Sequence, residues 1–384
     1  MTPRPGNRIE LLEGGAAYFP ALIADLDAAS REIHLESYIF EPDATGMAVI
    51  EALSRAAARG VQVRLLLDGF GARRFPVELA ARLRLAGVAL LFFRRELGTF
   101  RLRRHRLRRM HRKVAVIDAR VAYVGGINVI DDLNTMPGAG RRHDYAVRVQ
   151  GPLLADIYTS VRRLWLKVRW SQLGRRPRRT PALPVSSNPA GNQIAAFLER
   201  DNLRHRRDIE DAYLKAIRAA RREIWLANAY FLPGRRFRQA LVDAAARGVR
   251  VVLILQGRSD HRWFQLVERA LYRYFLESGI EIHEFHVSEL HAKAAVIDDT
   301  WATVGSSNID PFSLVLAREA NVVVTDPAFA TRLRDSLDQA RSRGAHQIRR
   351  RDWRHIPWHA RFASWALYGL ARLLLGWLGM AKGF

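Results

Sequence analysis

Apolar residues along this chain gather in short β-branched runs, and alanine-rich stretches punctuated by charged residues separate them. The runs have the length and continuity of strands buried on both faces, whereas the alanine-rich stretches suit helices. Their order recurs. "REIHLESYIFEP" (Arg31–Pro42) is matched by "REIWLANAYFLP" (Arg222–Pro233), closing proline included, and "AAARGVQVRLLLDG" (Ala56–Gly69) by "AAARGVRVVLILQG" (Ala244–Gly257). Each half therefore predicts a helix, an apolar strand, an Ala-rich helix ending at Arg-Gly, and a second apolar strand. Gly60 and Gly248 fall where helix C-caps are expected. This alternation implies an α/β fold with a largely buried sheet in each half, and so long a period reads as domain duplication.

Between the halves "LGRRPRRTPALPVSSNPAG" (Leu173–Gly191) is rich in Pro, Ser and Arg, the composition of a linker. The expected boundaries are a first half over 1–175, a linker over 176–191, a second half over 192–345, and a tail over 346–384. The N-terminus "MTPRPGNRIELLEGG" lacks the apolar core of a signal peptide and reads as the start of the folded protein. In the tail, "FASWALYGLARLLLGWLGM" approaches the length of a membrane span but contains Arg372. On a helix, Arg361, Ser364, Tyr368 and Arg372 make a narrow polar stripe opposite Phe362, Trp365, Leu370, Leu373, Leu374 and Trp377. With "RRRDWRHIPWHAR" just upstream, the expected element is an amphipathic helix lying in an anionic membrane surface. A helix capping the core is the alternative.

Charge narrows the choice of partner. Lys and Arg number 62 against 38 Asp and Glu, a formal net charge of +24. Such a surplus calls for an anionic partner: nucleic acid, an anionic membrane, or a phosphorylated substrate. "FRLRRHRLRRMHRK" (Phe100–Lys113) delivers a cluster of arginines to one point and lacks the interleaved aromatics that stack on single-stranded bases. Cysteine is absent, which excludes disulfides and thiolate metal sites, and His105, His111 and His143 lack a compact ligand spacing. No metal or other cofactor is expected.

The chemistry sits in two segments 180 residues apart, "MHRKVAVIDARVAYVGGIN" (Met110–Asn128) and "LHAKAAVIDDTWATVGSSN" (Leu290–Asn308). Both carry His, Lys, Asp, Gly and Asn at the same spacing: His111, Lys113, Asp118, Gly125 and Asn128, then His291, Lys293, Asp298, Gly305 and Asn308. His and Lys two apart share one side of a strand. Gly125-Gly126 and Gly305-Ser306 leave room for a ligand near the backbone. Two imidazoles, two ammonium groups and two amides suit a phosphodiester. Lys113, Lys293, Asn128 and Asn308 would hold its nonbridging oxygens, one neutral histidine would attack phosphorus, and the other would protonate the leaving alkoxide. Asp118 and Asp298 complete the candidate catalytic set, although bracing a loop is their favoured role.

"H-x-K-x4-D-x6-G-G/S-x-N" twice in one chain resembles the phospholipase D superfamily. "ESYIFEPDATG", "QGRSDHRWFQLVERALY" and "ATVGSSNIDPFSLVLAREANVVV" resemble its bacterial cardiolipin synthase B branch. The resemblance runs from about Gly6 to the tail. It implies two α/β sandwich halves packed with pseudo-twofold symmetry, one active site at their interface, and a metal-free reaction through a phosphohistidine. It also implies His111 as nucleophile, His291 as acid and base, and a carboxylate orienting each histidine: Glu319 for His291, with Asp144 at the matching place in the first half. The implied activity is cardiolipin synthesis. A phosphatidyl group passes from one phosphatidylglycerol to a hydroxyl of another at a bacterial cell membrane, the protein being peripheral or monotopic. Anionic phospholipids are then its partners. A phosphodiesterase acting on other phospholipids or on nucleic acid is the alternative.

Overall fold

The structure is a computed structural model, and it describes residues 2–95, 108–135, 138–173, 181–186, 188–258, 262–351, 366–367 and 369. The N-terminal half contributes β1 (Arg4–Glu13), β2 (Glu32–Ser37), β3 (Gln62–Asp68), β4 (Ala89–Phe93), β5 (Lys113–Ile117), β6 (Val121–Gly125), β7 (Gly140–His143) and β8 (Tyr145–Gln150). The C-terminal half contributes β9 (Gln193–Arg200), β10 (Glu223–Asn228), β11 (Arg250–Gln256), β12 (Glu281–Phe285), β13 (Ser288–Leu290), β14 (Lys293–Ile297), β15 (Trp301–Gly305), β16 (Glu319–Thr325) and β17 (Ala345–Ile348).

All but β7 and β13 join one 15-stranded mixed sheet. Strands β1 and β9 pair antiparallel at its middle. Outward from them the order is β1-β8-β6-β5-β2-β3-β4 on one side and β9-β16-β15-β14-β10-β11-β12 on the other, with β17 beyond β12. The two sides correspond strand for strand. In each, the three outer strands of the matched set run parallel: β2, β3 and β4, then β10, β11 and β12.

Packing follows the sequence pattern. Helices over Gly14–Asp27 and Ala44–Ala58 cover the outer strands of the first side, and those over Asp208–Ala219 and Arg235–Ala246 cover the second. Gly60 and Gly248 follow their helices at φ +86° and +87°, the left-handed geometry that ends a helix without a Cβ clash. The other sheet face is a core common to both halves. Ile157 and Val161 of the helix Leu154–Leu173 and Leu333 and Leu337 of Pro327–Gly344 share it with Val114, Val116, Ala294 and Val296. Every residue of β5 and β14 is buried, so these strands are fixed from both faces. Ile157→Ala, at the heart of that core, should cost about 2–5 kcal/mol.

One expected boundary shifts. The second half does not end at 345, because β17 pairs antiparallel with β12, Gln347 opposite His283 and Ile348 opposite Ile282. An apolar position at Ile348 lets these residues extend the sheet rather than begin a tail. The tail stripe from Arg361 to Arg372 falls on positions outside the described residues, as does most of the basic run before Arg108. Among the described residues no helix is long and apolar enough to cross a membrane.

Candidate active site

His111 and His291 lie two residues ahead of β5 and β14, where the chain enters these strands of each half. Contacts between the halves converge there. Ser288 and Leu290 of β13 pair in parallel with Gly140 and His143 of β7. Met110 makes a matching isolated bridge to Arg318. The His111 N–H then donates to the Arg318 carbonyl at 2.9 Å, and the His291 N–H to the His143 carbonyl at 2.8 Å. Each histidine is thereby docked beside the residue that precedes the other half's carboxylate.

That docking corrects the expected pairing. His111 Nδ1 lies 3.0 and 3.2 Å from the two oxygens of Glu319, and His291 Nδ1 lies 2.6 Å from Asp144 Oδ2. Glu319 serves His111, and Asp144 serves His291. The carboxylates cross the interface because each follows a backbone segment hydrogen-bonded to the opposite histidine. Sequence order alone suggested the nearer partner. Both carboxylates are buried, and both histidine side chains retain about a fifth of their exposure (17% and 21%). With Nδ1 donating to a carboxylate, each imidazole presents Nε2 as its free nitrogen.

A family model described as "Cardiolipin synthase, PLD-like domain" matches residues 22–165 and 213–341. "Cardiolipin synthase B" of Escherichia coli (strain K12) is 38% identical over 98% of this chain and 91% of that protein. The chain belongs to the cardiolipin synthase family. A further relative, "Cardiolipin synthase" of Clostridium perfringens (strain SM101 / Type A), is 28% identical over 86% of this chain and 70% of its own length. The crystal structure of phosphatidylserine synthase from Haemophilus influenzae Rd KW20 matches in fold. Its TM-score is 0.66 over 97% of this chain and 95% of that one, at 14% identity.

In this family member the electrostatics of the site come from burial. Burial, then Lys293, pushes the Lys113 ammonium down to about 7; burial pushes Lys293 down to about 8. Burial also lowers His111, against the pull of Glu319, and lowers His291 well below the ordinary imidazole value with help from Lys293 and Lys113. The Asp144 carboxyl is pushed up to about 6, again chiefly by burial. Without an anion, the site thus favours neutral imidazoles and weakly held lysine protons. An anionic phosphodiester would reverse both tendencies by favouring the charged forms. Each lysine donates to the main-chain carbonyl of its own histidine, which fixes the ammonium beside the imidazole.

Asn128 and Asn308 are buried near the same place. Asn128 Oδ1 accepts from the Ile39 N–H at 3.1 Å, which leaves its NH2 end for other partners. Asn308 Oδ1 has no partner among the described residues. Gly125 and Gly305 are required by close strand approach: a Cβ would lie 2.5 Å from the Ala146 Cα and 2.2 Å from the Asn321 side chain. Gly126 makes room for Asp144, whereas Ser306 uses its hydroxyl to donate to Glu319 Oε2.

Asp118 and Asp298 do not join this cluster. They stand at the far ends of β5 and β14, with φ of +52° and +49°. Asp118 accepts from the N–H groups of Ser30, Arg31 and Glu32; Asp298 does so from Arg221, Arg222 and Glu223. Burial opposes the Asp118 charge, but these bonds outweigh it and hold the carboxyl below its ordinary value. They brace the starts of β2 and β10.

Two further residues escaped the sequence reading. Tyr38 sets its ring edge against His111, centroids 4.8 Å apart, and Lys113 Nζ lies 5.3 Å from its centroid. Asn228, fully buried and cross-strand from Lys293, has an unpartnered Nδ2 among the described residues. The aligned pairs Tyr38/Ala229 and Ser37/Asn228, two of the places where the matched segments differ, were the available signal.

Proposed function

We propose that the protein is a cardiolipin synthase acting through a phosphohistidine at the interface of two duplicated halves. The crossed pairs, His111 with Glu319 and His291 with Asp144, carry this reading. Each histidine depends on the other half for its tautomer, so neither half holds a working site alone. Strand-for-strand correspondence and the twofold family match support a duplicated unit packed about a pseudo-twofold axis.

His111 Nε2 attacks the phosphorus of one phosphatidylglycerol, its Nδ1–H held by Glu319. The P–O bond to the head-group glycerol breaks as His291 Nε2–H delivers a proton to the departing oxygen. Glycerol leaves, and the phosphatidyl group rests on His111. His291, now neutral, takes the proton from a hydroxyl of a second phosphatidylglycerol, whose oxygen displaces His111. Lys113 and Lys293 neutralise the nonbridging oxygens, with Asn128 and Asn308 as amide donors, where fixed donors matter most in the transition state. Water in place of the acceptor gives phosphatidic acid.

The lipid's acyl chains require work at an anionic bilayer surface, which the net charge of +24 favours. The basic run and the tail are proposed to hold the protein there from the cytoplasmic or outer face as a peripheral or monotopic protein. Full-length protein incubated with phosphatidylglycerol vesicles and a chelator should form cardiolipin and free glycerol. Absence of lipid turnover, with cleavage of DNA instead, would overturn the proposal.

A further inference from the structure

Neither histidine is fixed by its side chain alone. The opposite half takes each histidine N–H through Arg318 or His143. The N–H of the residue before each histidine turns instead to its own half. The Met110 N–H donates to Asp68 Oδ2 at 2.8 Å, and the Leu290 N–H donates to Gln256 Oε1 at 2.9 Å.

Asp68 and Gln256 end β3 and β11 at matched places in "LLLDG" and "LILQG". These strands do not adjoin β5 and β14, because β2 and β10 lie between. The two side chains therefore reach past the end of an intervening strand to segments that no ladder of their own half-sheet holds. Met110 and Leu290 are 0% and 1% exposed, so their N–H groups have no recourse to water.

We propose that Asp68 and Gln256 are positioning residues, a matched pair of side-chain clamps that tie each histidine segment to its own half-sheet. The opposite half holds the histidine itself, and the two ties together set the approach of one imidazole to the other. This rests on the two-histidine reaction proposed above. Displacement of a reacting atom by a fraction of an ångström is felt in the transition state far more than in substrate binding.

The clamps differ in one respect that guides the test. Asp68 holds three N–H groups, Phe70 and Gly71 on Oδ1 at 2.8 and 3.0 Å and Met110 on Oδ2, so both oxygens must accept. Gln256 needs a single accepting oxygen for Leu290. Glutamate can supply that oxygen; methionine, of similar length, offers only a weakly accepting thioether.

The measurement uses the full chain and phosphatidylglycerol in mixed micelles, with kcat, KM and thermal midpoint recorded together. Gln256→Met should lower kcat about 30-fold, leave KM within about twofold and the midpoint within a few degrees, and Gln256→Glu should recover most of kcat. Wild-type kcat in Gln256→Met overturns the clamp, as does a loss in which kcat, KM and midpoint fall together without rescue by Gln256→Glu. Should Gln256→Met not fold, Asp68→Asn decides: about a tenfold loss confined to kcat supports the clamp, and an unchanged kcat overturns it. A wild-type protein that leaves phosphatidylglycerol untouched overturns the reaction itself, before any variant is compared.

Discussion

His111 and His291 are held by the same scheme built from different parts. Around His111 stand Glu319, pinned by the Ser306 hydroxyl, and the ring of Tyr38. Around His291 stand the shorter Asp144 and, at the matching positions, Gly126 and Ala229. The difference continues behind the site. Arg112, between His111 and Lys113, is buried in a bidentate pair with Glu36 and bonded to Ser160; their counterparts are Ala292 and Ala227. The first wall is braced by charge and hydrogen bonds, the second by small apolar side chains. A nucleophile must hold one tautomer while a covalent bond forms, and the braced wall suits it. An acid that becomes a base must pass a proton both ways. The Asp144 carboxyl beside His291 is pushed up to about 6, so it holds its charge less firmly than an ordinary aspartate while that proton is passed.

The largest test of this inequality removes the histidines. His111→Ala and His291→Ala should each lower cardiolipin formation by roughly 10⁴-fold. A phosphatidyl p-nitrophenyl ester separates them, because p-nitrophenolate departs without a proton. His291→Ala should still release a burst of p-nitrophenol with that ester, and His111→Ala should not. A burst from His111→Ala alone would exchange the two roles.

Next in size come the carboxylates. Glu319→Gln and Asp144→Asn should each cost about 100-fold with phosphatidylglycerol, as for other partners that fix a histidine's orientation. With the activated ester only Glu319→Gln should slow the burst. The opposite outcome would mean that each carboxylate serves the histidine of its own half. Gly126→Ser belongs with these, since its Cβ would fall 2.3 Å from Asp144 Oδ1 and displace the carboxylate.

This crossing marks the limit of what the chain alone discloses. The succession of helices and strands in each half and the helix stops at Gly60 and Gly248 follow from local patterns that repeat, and the repeated motif, with the family it resembles, implies one site for His111, Lys113, His291 and Lys293. Apolar periodicity shows which strands are buried. The pairing of Glu319 with His111 depends instead on the Met110–Arg318 and β7–β13 contacts, which join segments far apart in sequence and lack any apolar periodicity of their own. Asp68 and Gln256 were hidden for a related reason. Each reads as the polar end of a buried strand, and only the strand order shows that its oxygen reaches the neighbouring histidine segment.

Titration offers a smaller test. In the proposed reaction the lysines would grip the phosphodiester only as ammonium ions, and burial sets them at about 7 and 8. Their charge is present below those values and is lost as pH rises through them. Free enzyme should therefore lose kcat/KM by about tenfold between pH 7 and 8. Lys113→Arg, if it retains activity, should move that limb upward because guanidinium stays charged. A profile flat to pH 10 in the wild type would show that the lysines remain protonated throughout.

The smallest expected effect concerns the serine that the first wall's carboxylate borrows. Ser306→Gly gives Glu319 the same neighbour that Asp144 already has. One hydrogen bond to the carboxylate is lost, worth about 1 kcal/mol, so the burst should slow about fivefold. Glu319 would still reach His111, because its strand position is set by the ladder with Arg200 rather than by the serine. The step that transfers the phosphatidyl group to the acceptor hydroxyl, which depends on His291 and Asp144, should keep its rate. If Ser306→Gly slows that step as much as the burst, the serine is supporting the whole interface, and the inequality of the walls lies in Tyr38 and the Arg112–Glu36 pair instead.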